Sequence, residues 1–133
     1  MKKIKQLISA FAFITSFLAS AQSIQIITID GEEVSYKGLE KLASSDFSKL
    51  KEVRILNTSG NVMAIDDVLL KKILDNSTHL ESLEIKEIGI STFPEITSEN
   101  TTLKTLILRL NGLSKLPNTF GKFIGLETID PYN

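Results

Sequence analysis

Hydrophobic positions in the second half of the chain recur at a fixed spacing. LESLEIKEIGISTFPEITSENTT (residues 80–102) and LKTLILRLNGLSKLPNTFGKFIG (residues 103–125) are each 23 residues long. Leu80, Leu83, Ile85, Ile90, Phe93 and Pro94 align with Leu103, Leu106, Leu108, Leu113, Leu116 and Pro117. A third copy starts at Leu126, with Ile129 in the place of Leu106. The x-L-x-L-x stretch of each copy alternates with period two, which predicts a half-buried strand. Equal units place strand beside strand, so the pattern predicts a parallel sheet in which each unit buries its leucines against its neighbours. Asn111-Gly112 then marks a turn. Pro94 and Pro117 are expected to hold the return path extended, because proline fixes φ and has no N–H to donate.

Upstream the spacing loosens. Leu50, Val53 and Ile55 restate the strand signature 30 residues before Leu80. The surplus lies in DDVLLKKILDN (66–76), where Leu69, Leu70, Ile73 and Leu74 share one helical face and Asp66 is the expected N-cap. Ile24, Ile27 and Ile29 repeat the spacing 26 residues before Leu50, followed by a weaker helical pattern from Tyr36 to Ala43. Residues 22–49 are therefore expected to form a degenerate first unit serving as a cap, ahead of units 50–79, 80–102 and 103–125 and a partial unit 126–133.

Residues 103–117 match L-x-x-L-x-L-x-x-N-x-L followed by L-P, and in this the chain resembles the leucine-rich-repeat family. The resemblance implies an α/β fold: a short solenoid with a curved parallel β-sheet on one side and helical or irregular segments on the other. It also implies that Asn111 lies inside the turn, its amide bonding otherwise unpaired backbone groups. Two departures stand out. Ile88 and Thr58 occupy the positions where the motif has asparagine, so a single asparagine cannot form a ladder. The chain also stops at Asn133, without a polar closing cap, which predicts an exposed final edge strand.

The N-terminus changes the compartment. Lys2, Lys3 and Lys5 precede a 12-residue apolar stretch (7–18), and Ala19-Ser20-Ala21 supplies small residues for cleavage before Gln22. Spanning a bilayer takes about 20 apolar residues, so residues 1–21 read as a cleaved signal peptide of bacterial type. The expectation is a secreted or periplasmic protein, residues 22–133, with no membrane insertion after cleavage. Cleavage takes three of the 15 basic side chains and none of the 16 acidic ones, leaving a formal charge of −4. With no basic cluster either, the chain has no electrostatic basis for binding nucleic acid.

Catalytic chemistry is sparse. There are no cysteines and one histidine, His79, with no nucleophile in a recognisable setting around it. Asp30-Gly31-Glu32-Glu33 lacks the alternating oxygen ligands of a calcium loop and reads as a turn, and Asp66 and Asp67 fit a helix start. No enzyme activity, cofactor or metal is expected. Three sequons begin at Asn57, Asn76 and Asn100, and in a bacterial protein they are expected to stay unmodified.

The resemblance implies binding along the inner face of the sheet, and the alternation gives its positions: Glu52, Arg54 and Leu56; Ser82, Glu84 and Lys86; Thr105, Ile107 and Arg109; Thr128, Asp130 and Tyr132. Ile107 and Tyr132, bordered by Arg109, are the expected anchors, since exposed apolar and aromatic groups carry most interface energy. The alternative is a solvated face with cross-strand charge pairs such as Arg54 with Glu84. Two functions are in view. One is a non-catalytic module for a protein or peptide partner; the other is a truncated or accessory repeat protein that self-associates or docks through its C-terminal edge.

Overall fold

The computed structural model describes residues 22–57 and 65–131. The proposed signal peptide, Thr58 and Tyr132 lie outside the described residues. Between these limits the chain is α/β, with one six-stranded sheet and few helices. In chain order come β1 (Gln22–Thr28), β2 (Glu33–Tyr36), α1 (Leu39–Ala43), a 3₁₀ turn (Phe47–Lys49), β3 (Leu50–Asn57), α2 (Asp67–Asn76), β4 (Ser82–Lys86), β5 (Thr105–Ile107), a second 3₁₀ turn (Asn118–Lys122) and β6 (Thr128–Asp130). Across the sheet the order is β2-β1-β3-β4-β5-β6.

The four strands from β3 to β6 are parallel, and their register follows the sequence spacing. Val53 lies beside Leu83, Leu83 beside Leu106 and Leu106 beside Ile129. The same 23-residue offset returns around the loop between β4 and β5. The Ile88 N–H donates to Asn111 Oδ1 at 2.9 Å, the Ile96 N–H donates to Thr119 Oγ1 at 2.8 Å, and Asn100 bridges to Phe123. Backbone conformation repeats with it: Glu87 and Leu110 have φ of 58° and 57°, and Gly89 and Gly112 have φ of 76° and 74°. Two successive 23-residue segments thus share strand, turn and return path.

The first segment departs from the expectation of a parallel capping unit. β1 runs antiparallel to β3, pairing Ile24 with Ile55 and Ile26 with Val53, and it also pairs antiparallel with β2. The sheet is therefore mixed. The inward residues of β1 are Ile24 and Ile26, both buried, whereas Ile27 is half-buried and Ile29 is 46% exposed in the turn that follows. Gly31, with φ of 78°, lets the chain reverse there: the Gly31 N–H donates to the Thr28 carbonyl and the Thr28 N–H to the Glu32 carbonyl. Residues 30–33 thus enter a hairpin, consistent with the turn expected of them. The weak helical pattern reduces to Leu39–Ala43, because Tyr36 belongs to β2.

One hydrophobic core backs the sheet. Val53, Ile55, Leu83, Ile85, Leu106 and Leu108 are fully buried on one face. Leu69, Leu70, Ile73 and Leu74 of α2 join the same cluster, and Asp66 caps that helix by accepting the Leu69 N–H at 2.6 Å. On the return side Phe93, Phe120 and Phe123 meet edge to face, with ring centroids 5.2–6.3 Å apart. Pro117 is extended, with φ −67° and ψ 155°, and leads into the second 3₁₀ turn.

Candidate functional site

Opposite the core, the alternating residues of β3 to β6 form rows across the sheet. One row is Glu52, Ser82, Thr105 and Thr128; the next is Arg54, Glu84, Ile107 and Asp130. In a third, Leu56 lies beside Lys86. The Glu87 N–H donates to the Arg109 carbonyl at 3.2 Å, which places Arg109 at the end of β5 beside the end of β4. The face positions expected from alternation are thus brought together, apart from Tyr132. Because β1 also pairs with β3, the middle row continues in register through Gln25, which lies opposite Arg54 and is buried, to Ser35 on β2. A parallel reading of the first segment cannot supply that extension.

Charge on this face is largely paired. Arg54 Nε donates to Glu84 Oε2 at 2.7 Å. Arg109 Nε donates to Asp130 Oδ2 at 2.6 Å, and this partner raises the guanidinium above its ordinary range, through the hydrogen bond first and the opposite charge second. Ile107 lies half-buried between Glu84 and Asp130, each of which is drawn to an arginine. Lys86 is different: no ion pair or hydrogen bond engages it among the described residues. The middle of the face is an apolar side chain between two ion pairs, with a free ammonium group on the neighbouring row.

Leu110 adds a feature that alternation does not reach. It is 51% exposed and held in the left-handed region, which leucine adopts at a cost of about 1–2 kcal/mol. The signal for it is the 23-residue offset, which makes Leu110 the counterpart of Glu87. Neither residue is buried, whereas the next position in each turn, Ile88 or Asn111, points inward.

Elsewhere the expected chemistry resolves into structure. His79 Nδ1 lies 2.9 Å from the Ser48 carbonyl, an oxygen that can only accept, so this nitrogen carries the proton in that bond. Among the described residues no group of three or more His, Asp or Glu side chains is placed to hold a metal ion. Nor is any helix among them long and apolar enough to cross a membrane. Comparison of the chain with protein-family models, with curated proteins and with solved structures finds no match.

Proposed function

We propose that this chain is an exported, non-catalytic binding module, a short leucine-rich-repeat solenoid that docks a protein or peptide along its open sheet face. The carrying observation is the 23-residue offset kept from strand to turn to return path, with Asn111 sealed inside the turn. Asn111 Oδ1 accepts the Ile88 N–H, and its Nδ2 donates to the Ile85 carbonyl at 2.8 Å and the Arg109 carbonyl at 3.1 Å. A turn built this way presents a row of side chains on rigid strands, the arrangement that suits recognition of an extended partner. Arg54, Glu84, Lys86, Thr105, Ile107, Arg109 and Asp130 make up the docking surface, with Ile107 as its centre. Tyr132 is assigned to the same surface on sequence grounds.

The test is capture of envelope proteins, with the captured protein then purified and its affinity for wild type and variants measured. Ile107→Asp and Lys86→Glu are expected to weaken that affinity about tenfold or more, as central contacts do. Equal affinity for wild type and both variants sinks the reading of this face.

One observation favours a second reading, docking through the β6 edge. Ile129 is 40% exposed at the register position where Leu83 and Leu106 are fully buried. Under that reading light scattering shows oligomers that grow with concentration, and Ile129→Lys abolishes them.

A further inference from the structure

Cleavage after Ala21 puts Gln22 at the start of the exported chain with a free α-amino group. Gln22 is also the first residue of β1, where its backbone pairs with Asn57 of β3. The expected cleavage point and the start of β1 therefore coincide. The strand is engaged almost at once. Ser23, Ile24, Gln25 and Ile26 are all buried, and from Ile24 to Ile27 β1 is paired on both sides, with β2 and with β3.

An N-terminal glutamine carries a nucleophile and an electrophile in one residue. An α-amino group ordinarily titrates at about 7.7–8.0, so part of it is neutral near pH 7 and has a free lone pair. Attack on the side-chain amide carbon closes an unstrained lactam ring of N, Cα, Cβ, Cγ and Cδ. The reaction is intramolecular, which removes the entropy cost of bringing two groups together. The bond from the α-nitrogen to Cδ forms and the bond from Cδ to Nε2 breaks. Nε2 leaves as ammonia, taking a proton from the attacking amine. No oxidant, reductant or co-reactant is consumed. Every ring atom belongs to Gln22, so the pairing of β1 from Ser23 onward is untouched.

We propose that Gln22 is a modification site, which closes to pyroglutamate after export so that the exported chain begins with a neutral lactam. This rests on export of the chain as proposed above and is independent of the docking face. Two consequences follow at the sheet. The lactam removes a positive charge one residue away from the buried stretch, where a charge is costly to hydrate. It also removes the free amine that an aminopeptidase needs. That keeps the Gln22–Asn57 and Ser23–Leu56 pairs, and with them the full length of β1.

The test is the intact mass of the exported product, measured before any digestion and followed at neutral pH until it stops changing. The full chain, leader included, is expressed in a bacterium and the product is collected from envelope and medium. Expected is residues 22–133 lighter by one ammonia in nearly all molecules. Gln22→Asn is the control, because its shorter side chain would need a strained ring one atom smaller. It is expected to be cleaved at the same place and to keep its full mass. Wild type that stays at the full mass of residues 22–133 overturns the cyclisation and leaves export standing. The same loss in Gln22→Asn traces it to another amide and overturns the site. A product that keeps residues 1–21, or starts at a different residue, overturns export and this inference with it.

Discussion

Asn111 Oδ1 accepts the Ile88 N–H at 2.9 Å, so a side chain of one turn closes the backbone of the turn one offset earlier. Both residues are buried, Ile88 fully and Asn111 to 5% exposure. Water cannot replace the bond, and its loss strands a donor inside the protein. Replacing Asn111 by Ala also strands the Ile85 carbonyl. Asn111→Ala is expected to cost about 2–4 kcal/mol, as two buried groups lose their partner. Urea denaturation is the check, and a variant as stable as wild type would falsify the assignment of Asn111 to the turn interior.

Leu110 offers the opposite outcome. Its φ of 57° suits asparagine or glycine, and its exposure means that little packing is lost on substitution. Leu110→Asn is expected to raise stability by roughly 0.5–1 kcal/mol through relief of backbone strain. A lower Tm in this variant shows that the leucine side chain contributes packing that outweighs its strain.

Gly125 permits the close approach of two successive segments. A β-carbon built there meets the Thr101 carbonyl oxygen at 2.3 Å, far inside contact distance, and the obstacle is backbone rather than a movable side chain. Gly125→Ala is expected to cost about 1–3 kcal/mol by forcing the backbones apart. Hydrogen exchange is the sharper readout: the amides of Asn100 and Gly125, bonded to the carbonyls of Lys122 and Asn100, should lose protection together.

Leu106→Ala opens a cavity at a fully buried position between Leu83 and Ile129 and is expected to cost about 2–5 kcal/mol. Thermal melts that superimpose on wild type contradict the strand register given above.

Asp46 gives a pH-dependent signal. The Ser48 hydroxyl donates to its Oδ1 at 2.6 Å and the Ser48 N–H donates at 3.1 Å; these bonds and the nearby Lys49 charge hold its carboxyl below the ordinary value near 3.8, against a smaller opposing effect of desolvation. A depressed carboxyl contributes stability that is present above the unfolded pKa and lost as pH falls through the folded one. The carboxyl is solvent-exposed, so the contribution is small. In an NMR titration Ser48→Ala should return Asp46 toward the ordinary value, and an unmoved titration curve contradicts this cause.

Much of the architecture was legible in residue order. The 23-residue spacing from Leu80 onward foretold which leucines face inward and the parallel pairing of β4 to β6. The restated strand signature at Leu50 added β3, and the helical pattern of 66–76 marked the N-cap at Asp66. The interior place of Asn111 was implied by the resemblance of 103–117 to a leucine-rich repeat. These features depend on neighbours along the chain or one fixed offset away, and a period-two or helical pattern records them directly. The face residues Arg54, Glu84, Lys86, Thr105, Ile107, Arg109 and Asp130 were legible for the same reason.

The tertiary structure decided the direction of β1. Alternation reads the same forwards and backwards, so Ile24, Ile27 and Ile29 could mimic a parallel unit while the Gly31 turn sends the chain into an antiparallel hairpin. Only pairing shows that Ile26, not Ile27, is the inward residue. Packing likewise set the Arg109–Asp130 contact, the strained exposure of Leu110 and the burial of the Ser77 hydroxyl. Each depends on where two separate segments come to rest in space, and no local pattern of hydrophobic and polar residues encodes that distance.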